Sequence, residues 1–344
     1  MLFSRSAGES KRAFTIFGKV PSRTDFLAVQ ASHPTVKDLD RLVQGVMTVM
    51  AGSHEWKQHF DAIPAVDLLW RSPTGADVFV GVLLPSQDAA GRRYPLLGGL
   101  VLPGDEAARY GPLLLLGAEL LCSRLRDLLR RAREDVAGLA ELRDYLAEQA
   151  SKKGMDLLEP ALLEEIYNKF INEEGVLELG RPAGETSPAT VLRRTVLHLL
   201  FTRNQGLEGR EEEKKYLVFP LSLEPGKSML HASVWMDLLA LLVDPSSRCP
   251  WGQNALFHPM DGAPCLFMHP GRPSALAGSG MLGGKRLQWN HFNLQSGTGA
   301  LHLHPLYPEI STQMDRFLTS PTHKIVDLKR FVGETVRQLV LSSS

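Results

Sequence analysis

The chain has 344 residues, 44% of them apolar and 22% charged, which is enough for a large domain or two ordinary ones around a sizeable core. Lys plus Arg and Asp plus Glu balance at 38 each, so no net field favours a nucleic-acid backbone or an anionic membrane, and neither is expected as a partner. Three cysteines, Cys122, Cys249 and Cys265, contain no Cys-x-x-Cys pair and give no disulfide framework, which points to a reducing compartment.

Residues 1–13 lack the continuous apolar stretch of an export signal and read as a flexible leader. Residues 14–17 form an apolar run that reads as an edge strand. It is stopped by Gly18, Pro21 and Ser22, with Lys19, Arg23 and Asp25 bringing charge to its end and Phe26 closing the loop. Residues 35–50 carry Val36, Leu39, Leu42, Val43, Val46, Met47 and Met50 at the spacing of one helical face, with Thr35 as the expected cap. Two runs, 66–71 with Trp70 and 78–84, are split by a Ser-Pro-Thr-Gly-Ala-Asp turn and predict a strand pair, to which 96–102 adds a third strand. The runs 78–84 and 96–102 are nearly continuous in apolar character, so the sheet is expected to be covered on both faces. Between them lies a second polar loop, Pro85-Ser86-Gln87-Asp88-Ala89-Ala90-Gly91-Arg92-Arg93-Tyr94-Pro95, which again holds Pro-Ser, an Asp and an Arg.

Residues 106–150 are helical in pattern, with Leu114, Ala118, Leu121, Leu125, Leu128 and Ala132 in a stripe and Gly138 as the expected division. Arg124, Arg126, Arg130, Arg131 and Arg133 are interleaved with Asp127, Glu134 and Asp135 and read as a solvated face. The longest apolar run, 113–122, contains Glu119 and is too short to cross a bilayer, so a cytoplasmic protein without a membrane span is expected. A polar joint at 151–154, helices over 160–174 and 187–201, and a charged linker at 204–215 define a helical insertion, 151–215, expected to pack peripherally. Beyond it, 216–223 reads as a strand, 229–243 as an apolar helix with Ser233 and Trp235, 263–268 and 287–294 as strands, and 327–341 as a closing amphipathic helix. No repeat of solenoid length is present in the sequence.

Three chemical patterns fail on context. Gly278-Ser-Gly-Met-Leu-Gly-Gly-Lys285 matches a dinucleotide fingerprint by letters, but the strand expected at 287–294 stands where a helix should open, so it reads as a flexible connector. Six of the eleven histidines lie between His231 and His304, and His302, His304 and His291 with Cys249 or Cys265 could supply four zinc ligands. No metal-ligand spacing supports such a site, and no metal or cofactor is expected. Ser22 and Ser86 each lie near an Asp but have no histidine in their loops to act as base. They read as turn caps, and His33, His54 or His59 would have to approach in space for nucleophilic catalysis.

The two loops together resemble the TagF (ImpM) family of type VI secretion accessory proteins. Gly18, Lys19, Pro21, Ser22, Asp25 and Phe26 fill its first motif and Trp70 its middle position. Pro85, Ser86, Asp88, Gly91, Arg92 and Pro95 fill its last, with Tyr94 where Phe is usual. A further Ser-x-Trp-Trp element is half met by Ser233 and Trp235, about a hundred residues later than in a minimal member, and the gap implies an insertion. The resemblance implies a cytoplasmic, non-enzymatic regulator, a post-translational repressor that binds the forkhead-associated scaffold of the apparatus and other components besides. A serine hydrolase using Ser22 or Ser86 and a structural baseplate subunit are the alternatives.

The expected fold is an α/β layered sandwich with a mixed sheet covered by helices. Residues 14–150 form its N-terminal part, 151–215 the insertion, and 216–344 the part that completes the same domain. If the strand at 14–17 runs parallel to 78–84, the two loops open on one edge, where partners of open α/β sheets are held. There Asp25 is expected to pair with Arg92 or Arg23, Phe26 and Tyr94 to pack beneath, and Lys19 to read an acidic group on a partner.

Overall fold

Alternation along the strands decides where the two cores lie. The computed structural model describes residues 11–71, 77–151, 156–183, 187–202, 217–224, 226–242, 254–260, 263–269, 273–283 and 303–342. Its strands are β1 (Ala13–Gly18), β2 (Leu27–Val29), β3 (Val66–Arg71), β4 (Val78–Leu84), β5 (Leu96–Leu102), β6 (Leu217–Pro220), β7 (Asn254–Met260) and β8 (Ala263–His269). The helices are α1 (Pro34–Ala51), α2 (Trp56–Asp61), α3 (Gly104–Tyr110), α4 (Leu114–Gly117), α5 (Glu119–Glu134), α6 (Val136–Ala150), α7 (Pro160–Glu173), α8 (Pro188–Thr202), α9 (Ser228–Leu242), α10 (Ala275–Gly283), α11 (Tyr307–Leu318) and α12 (Ile325–Ser342). The strand expected at 287–294, the linker at 204–215, and Cys249, Lys285, His291 and His302 lie outside the described residues.

The eight strands form one sheet in the order β2-β1-β5-β4-β3-β7-β8-β6. Every pairing in it is antiparallel, which corrects the expected mixed sheet. The reason is local: β3, β4 and β5 follow one another through loops too short for the crossover that a parallel neighbour requires. Nor is β1 the edge, since the three-residue β2 covers it through Ile16↔Val29 and Phe17↔Ala28. Because β5 runs antiparallel to both β1 and β4, those two point the same way, and their C-terminal ends open on one edge of the sheet.

On one face Ile16, Leu69, Val80, Val82, Leu96 and Leu100 are buried against Leu121, Leu125, Leu128 and Leu129 of α5 and Leu142 and Leu146 of α6. On the other, Phe17, Leu68, Trp70, Phe79, Leu97 and Val101 meet Val36, Leu39, Val43, Val46 and Met50 of α1, together with Met281 of α10. The sheet is therefore covered on both faces, as the continuous apolar runs require, each fully buried aliphatic side chain contributing about 1.5–3 kcal/mol. Trp70 is entirely buried in the second core, so its place in the motif is structural.

Several local expectations are corrected by hydrogen-bond accounting. α1 is capped by His33, not Thr35: the His33 Nδ1 accepts from the Thr35 backbone N–H at 3.2 Å. The break between α5 and α6 falls at Asp135, whose side chain accepts from the Gly138 N–H at 2.6 Å. Gly138 itself is needed because a Cβ there would lie 2.5 Å from the Arg131 carbonyl carbon. The glycine-rich 278–283 stretch, expected as a connector, belongs to α10. A Cβ on Gly278 would meet Val46 Cγ2 at 2.8 Å, so the glycine serves close helix packing and not a phosphate loop. Arg12 and Ala13 do not belong to a free leader, since Arg12 pairs with buried Glu106 at 2.5 Å and Ala13 begins β1.

The described helices of the 151–215 segment, α7 and α8, pack into the core and not at its periphery. Leu163, Tyr167 and Ile171 of α7 and Leu192, Val196, Leu197 and Leu200 of α8 belong to the same apolar cluster as the α5 leucines. The Tyr167 hydroxyl donates to Asp237 Oδ2 of α9 at 2.7 Å, and Lys329 of α12 reaches the same oxygen at 2.6 Å. Backbone bonds from Val176 N to His323 O at 3.0 Å and from Ile325 N to Glu174 O at 3.2 Å tie the segment to the C-terminal helices.

One arginine expected on a solvated face is instead a clamp. Arg126 of α5 donates to both oxygens of Asp67 at 2.6 and 2.5 Å, and Asp67, on β3, is buried. Burial pushes the Asp67 carboxyl above its usual range while the guanidinium opposes it. Replacing Arg126 with Met strands that carboxylate and is expected to cost about 3–5 kcal/mol. Chemical denaturation should show the loss in Arg126→Met and a smaller one in the Asp67→Leu/Arg126→Met double variant.

Candidate functional site

At the edge where β1 and β4 end, the two motif loops are built around one carboxylate. The Asp88 side chain is fully buried and accepts four hydrogen bonds. Lys19 Nζ and Arg92 Nε reach Oδ2 at 2.9 and 2.7 Å, and the backbone N–H groups of Ala90 and Arg92 reach Oδ1 at 3.0 and 2.9 Å. Burial works to raise the Asp88 carboxyl, but the Lys19 bond and the backbone and side-chain bonds from Arg92 outweigh it, holding the group well below the usual carboxylate range. Gly91, at φ 75°, lets the loop turn tightly enough for both N–H groups to face inward.

The loops are joined by further bonds. Ala89 N–H donates to Arg23 O at 2.8 Å and Arg92 Nη2 to Thr24 O at 2.7 Å. Gly18 sits at φ 128°, where a Cβ would fall 2.0 Å from Pro95 O, so glycine is required for the end of the first motif to pass the end of the second. Pro95 is buried there. The shared surface expected from strand direction is therefore present, with different partners: Arg92 pairs with Asp88 and not Asp25, which is exposed and has no ion pair among the described residues. Lys19 likewise is not free to read a partner, because Asp88 holds it in a buried pair whose geometry the sequence left open.

Tyr94 is buried and donates to Asp40 of α1, while Phe26 stands over it edge-on at 4.9 Å and remains 54% exposed, so only one of the two rings packs beneath the loops. The Lys19 ammonium lies 5.0 Å from the Phe26 ring centre, a cation–π contact that covers the ion pair from solvent. The outer crown consists of Pro21, Ser22, Arg23, Thr24, Asp25 and Phe26 from the first loop with Ala89, Ala90 and Arg92 from the second, all exposed. Beside it lies a cleft of about 270 Å³ lined by Pro21, by Pro85, Ser86, Gln87 and Arg93, by Asp61 of α2 and by Arg133 of α5. Arg93 pairs with Asp61 at 3.0 Å, and Arg133 donates to Pro85 O at 3.2 Å. Asp61 and Arg133 carried no sequence signal for this site, since each is an ordinary polar residue near the end of an amphipathic helix. Ser233 and Trp235 are not part of the site: both are buried in α9, where Trp235 stacks on Phe219 of the far-edge strand β6 at 5.0 Å.

Residues 15–149, which hold both loops, match the family described as TagF N-terminal domain, Type VI secretion system-associated. What this segment is similar to is therefore a TagF N-terminal domain. The part after it, with Ser233 and Trp235, lies beyond the matched residues. Among solved structures, the chain is similar to PA0076 from Pseudomonas aeruginosa PAO1, at 22% identity over 34% of this chain, with a TM-score of 0.30. The similarity spans about half of that protein, 53% of its length. No curated protein matches the chain.

The two motif loops carry a pH signature through Asp88. A carboxyl held low in the folded state gives stability that is fully present above its unfolded pKa, about 3.9, and is lost as pH falls below that toward the folded value. Asp88→Asn is expected to be less stable at neutral pH and to lose less on acidification between about pH 4 and pH 2. Thermal melts of the two proteins across that range measure the difference.

Proposed function

We propose that the protein is a cytoplasmic, non-enzymatic regulator of a type VI secretion system, a post-translational repressor that docks the forkhead-associated scaffold through the crown of the two motif loops. The observation that carries the reading is the division of labour in the TagF-domain loops. Their buried charges, Lys19 and Asp88, are spent on each other, while Arg23, Asp25 and Phe26 face outward on a backbone fixed from below. A rigid crown with an exposed aromatic ring and an arginine has the residue types that dominate binding energy at protein interfaces. Rigidity also lowers the ordering cost of association.

The serine hydrolase alternative gains little from the same geometry. Ser22 stands on the exposed crown, and the cleft beside Ser86 is lined by no histidine that could take its proton. His33 is occupied as the α1 cap and lies 3.3 Å from Asp77, and His59 lies beside Glu55. Among the described residues no helix is long and apolar enough to cross a membrane.

The test is binding of the purified protein to the purified scaffold. Phe26→Ala with Arg23→Glu should weaken it at least about tenfold, a loss of about 1.4 kcal/mol, while the melting temperature stays unchanged. Overproduction of the native protein should lower secretion, and the double variant should not. Undiminished scaffold binding by the double variant overturns the crown as the docking surface. Stoichiometric co-purification with the assembled apparatus would favour a structural subunit instead.

A further inference from the structure

We propose that the cleft between the two loops and α5 is a binding site for an oxyanion, a phosphate or carboxylate group, held by Ser86, Arg93 and Arg133. The inference stands apart from the docking reading, because Arg23 and Phe26 of the crown do not line this cleft. Three observations on the walls support it.

The Ser86 side chain is buried, with the residue only 6% exposed, and its hydroxyl has no hydrogen-bond partner among the described residues. A native fold seldom leaves such a group unpaired without a use for it. Arg133 forms no ion pair among the described residues, and only one of its N–H groups is engaged, on Pro85 O, so most of its donor fork is uncommitted. Arg93 is anchored through Nη1 to Gly91 O at 2.8 Å and held by Asp61, whose side chain is half-exposed. Two guanidinium groups against one carboxylate leave the cleft net positive, and the Pro21 and Pro85 walls limit the water that would screen it.

Planar guanidinium forks pair bidentately with carboxylate and phosphate, and a serine hydroxyl adds a third donor. At about 270 Å³ the cleft falls below the range of drug-sized pockets, roughly 300–1,000 Å³, and suits a small ion or the head of one side chain. Asp61 then acts as an internal competitor: it holds Arg93 in place until an incoming anion takes over that fork. Removing its charge is expected to strengthen binding, the opposite of the effect of removing either donor.

The experiment titrates the full chain with inorganic phosphate and, separately, with acetate at constant ionic strength, following the backbone amide resonances of Ser86 and Gln87. Expected are saturable shifts, weakened about tenfold in Arg133→Gln and several-fold in Ser86→Ala, and tightened several-fold in Asp61→Asn. Asp61 is on the surface, so the last variant keeps the test valid if either of the others fails to fold. Binding of phosphate alone assigns a phosphorylated source, and binding of acetate alone a carboxylate. No saturable shift with either probe, or shifts indifferent to all three substitutions, overturns the site, and neither result touches scaffold binding by the crown.

Discussion

The organisation of this edge depends on the desolvation of a single carboxylate. Asp88 is removed from water, and its charge is stable there only because four donors converge on it from two loops about seventy residues apart in sequence. Each requirement of the motifs follows from that constraint. Lysine is needed for its reach and point charge, arginine for a fork that serves the carboxylate and the Thr24 carbonyl together, and Gly91 for a backbone that turns two N–H groups inward. Gly18 admits the close passage at Pro95 that brings Lys19 within range. Removing any one donor leaves the others holding an under-compensated charge, so the loops act as a unit.

The same sheet carries a second buried pair with a different task. Asp67 and Arg126 join the middle of the sheet to α5, and the neighbouring Glu119 and Cys122 are both pushed up in pKa by their burial around it. One pair sets loop conformation and the other sets helix position. Arg133, two turns further along α5, ends at the cleft, so the clamp at Arg126 also fixes where that guanidinium arrives. The C-terminal half is held by the Tyr167–Asp237–Lys329 arrangement, which plays the corresponding part for α7, α9 and α12.

What could be read in the sequence followed the strength of local patterning. The central strands β3, β4 and β5 announced themselves as apolar runs and the helices α1 and α12 by periodicity, and all lie within a few residues of expectation, whereas the helical pattern expected from 106 to a division at Gly138 is broken into α3, α4 and α5. The strand β2 has only three residues, too few for a period, and β7, with Pro259 and His258 in a run of seven, lacks the alternation that marks a strand. α10 was hidden by its glycines, which suit helix contact as well as they suit a loop, and α11 begins with Tyr-Pro and has a short apolar stripe. The meeting of the two loops was legible from strand direction, but the choice of Asp88 over Asp25 was not. Both aspartates lie within reach of an arginine in sequence, and only the burial of one and the exposure of the other decides between them.

The order of the strands also governs how the chain assembles as it is made. β1 emerges early, yet Ala13 pairs with Val101 and Phe17 with Leu97, so its principal neighbour is synthesised some eighty residues later. Meanwhile β3, β4 and β5 can zip together as successive hairpins, a low-cost local closure. The pairing of the N-terminal strand with β5 is thus the long-range closure of the first half, and with it arrives Lys19. Until that moment β5 has an open edge and Asp88 has only the three donors of its own loop, and a chaperone that shields this edge would be guarding the step at which the two loops become one surface.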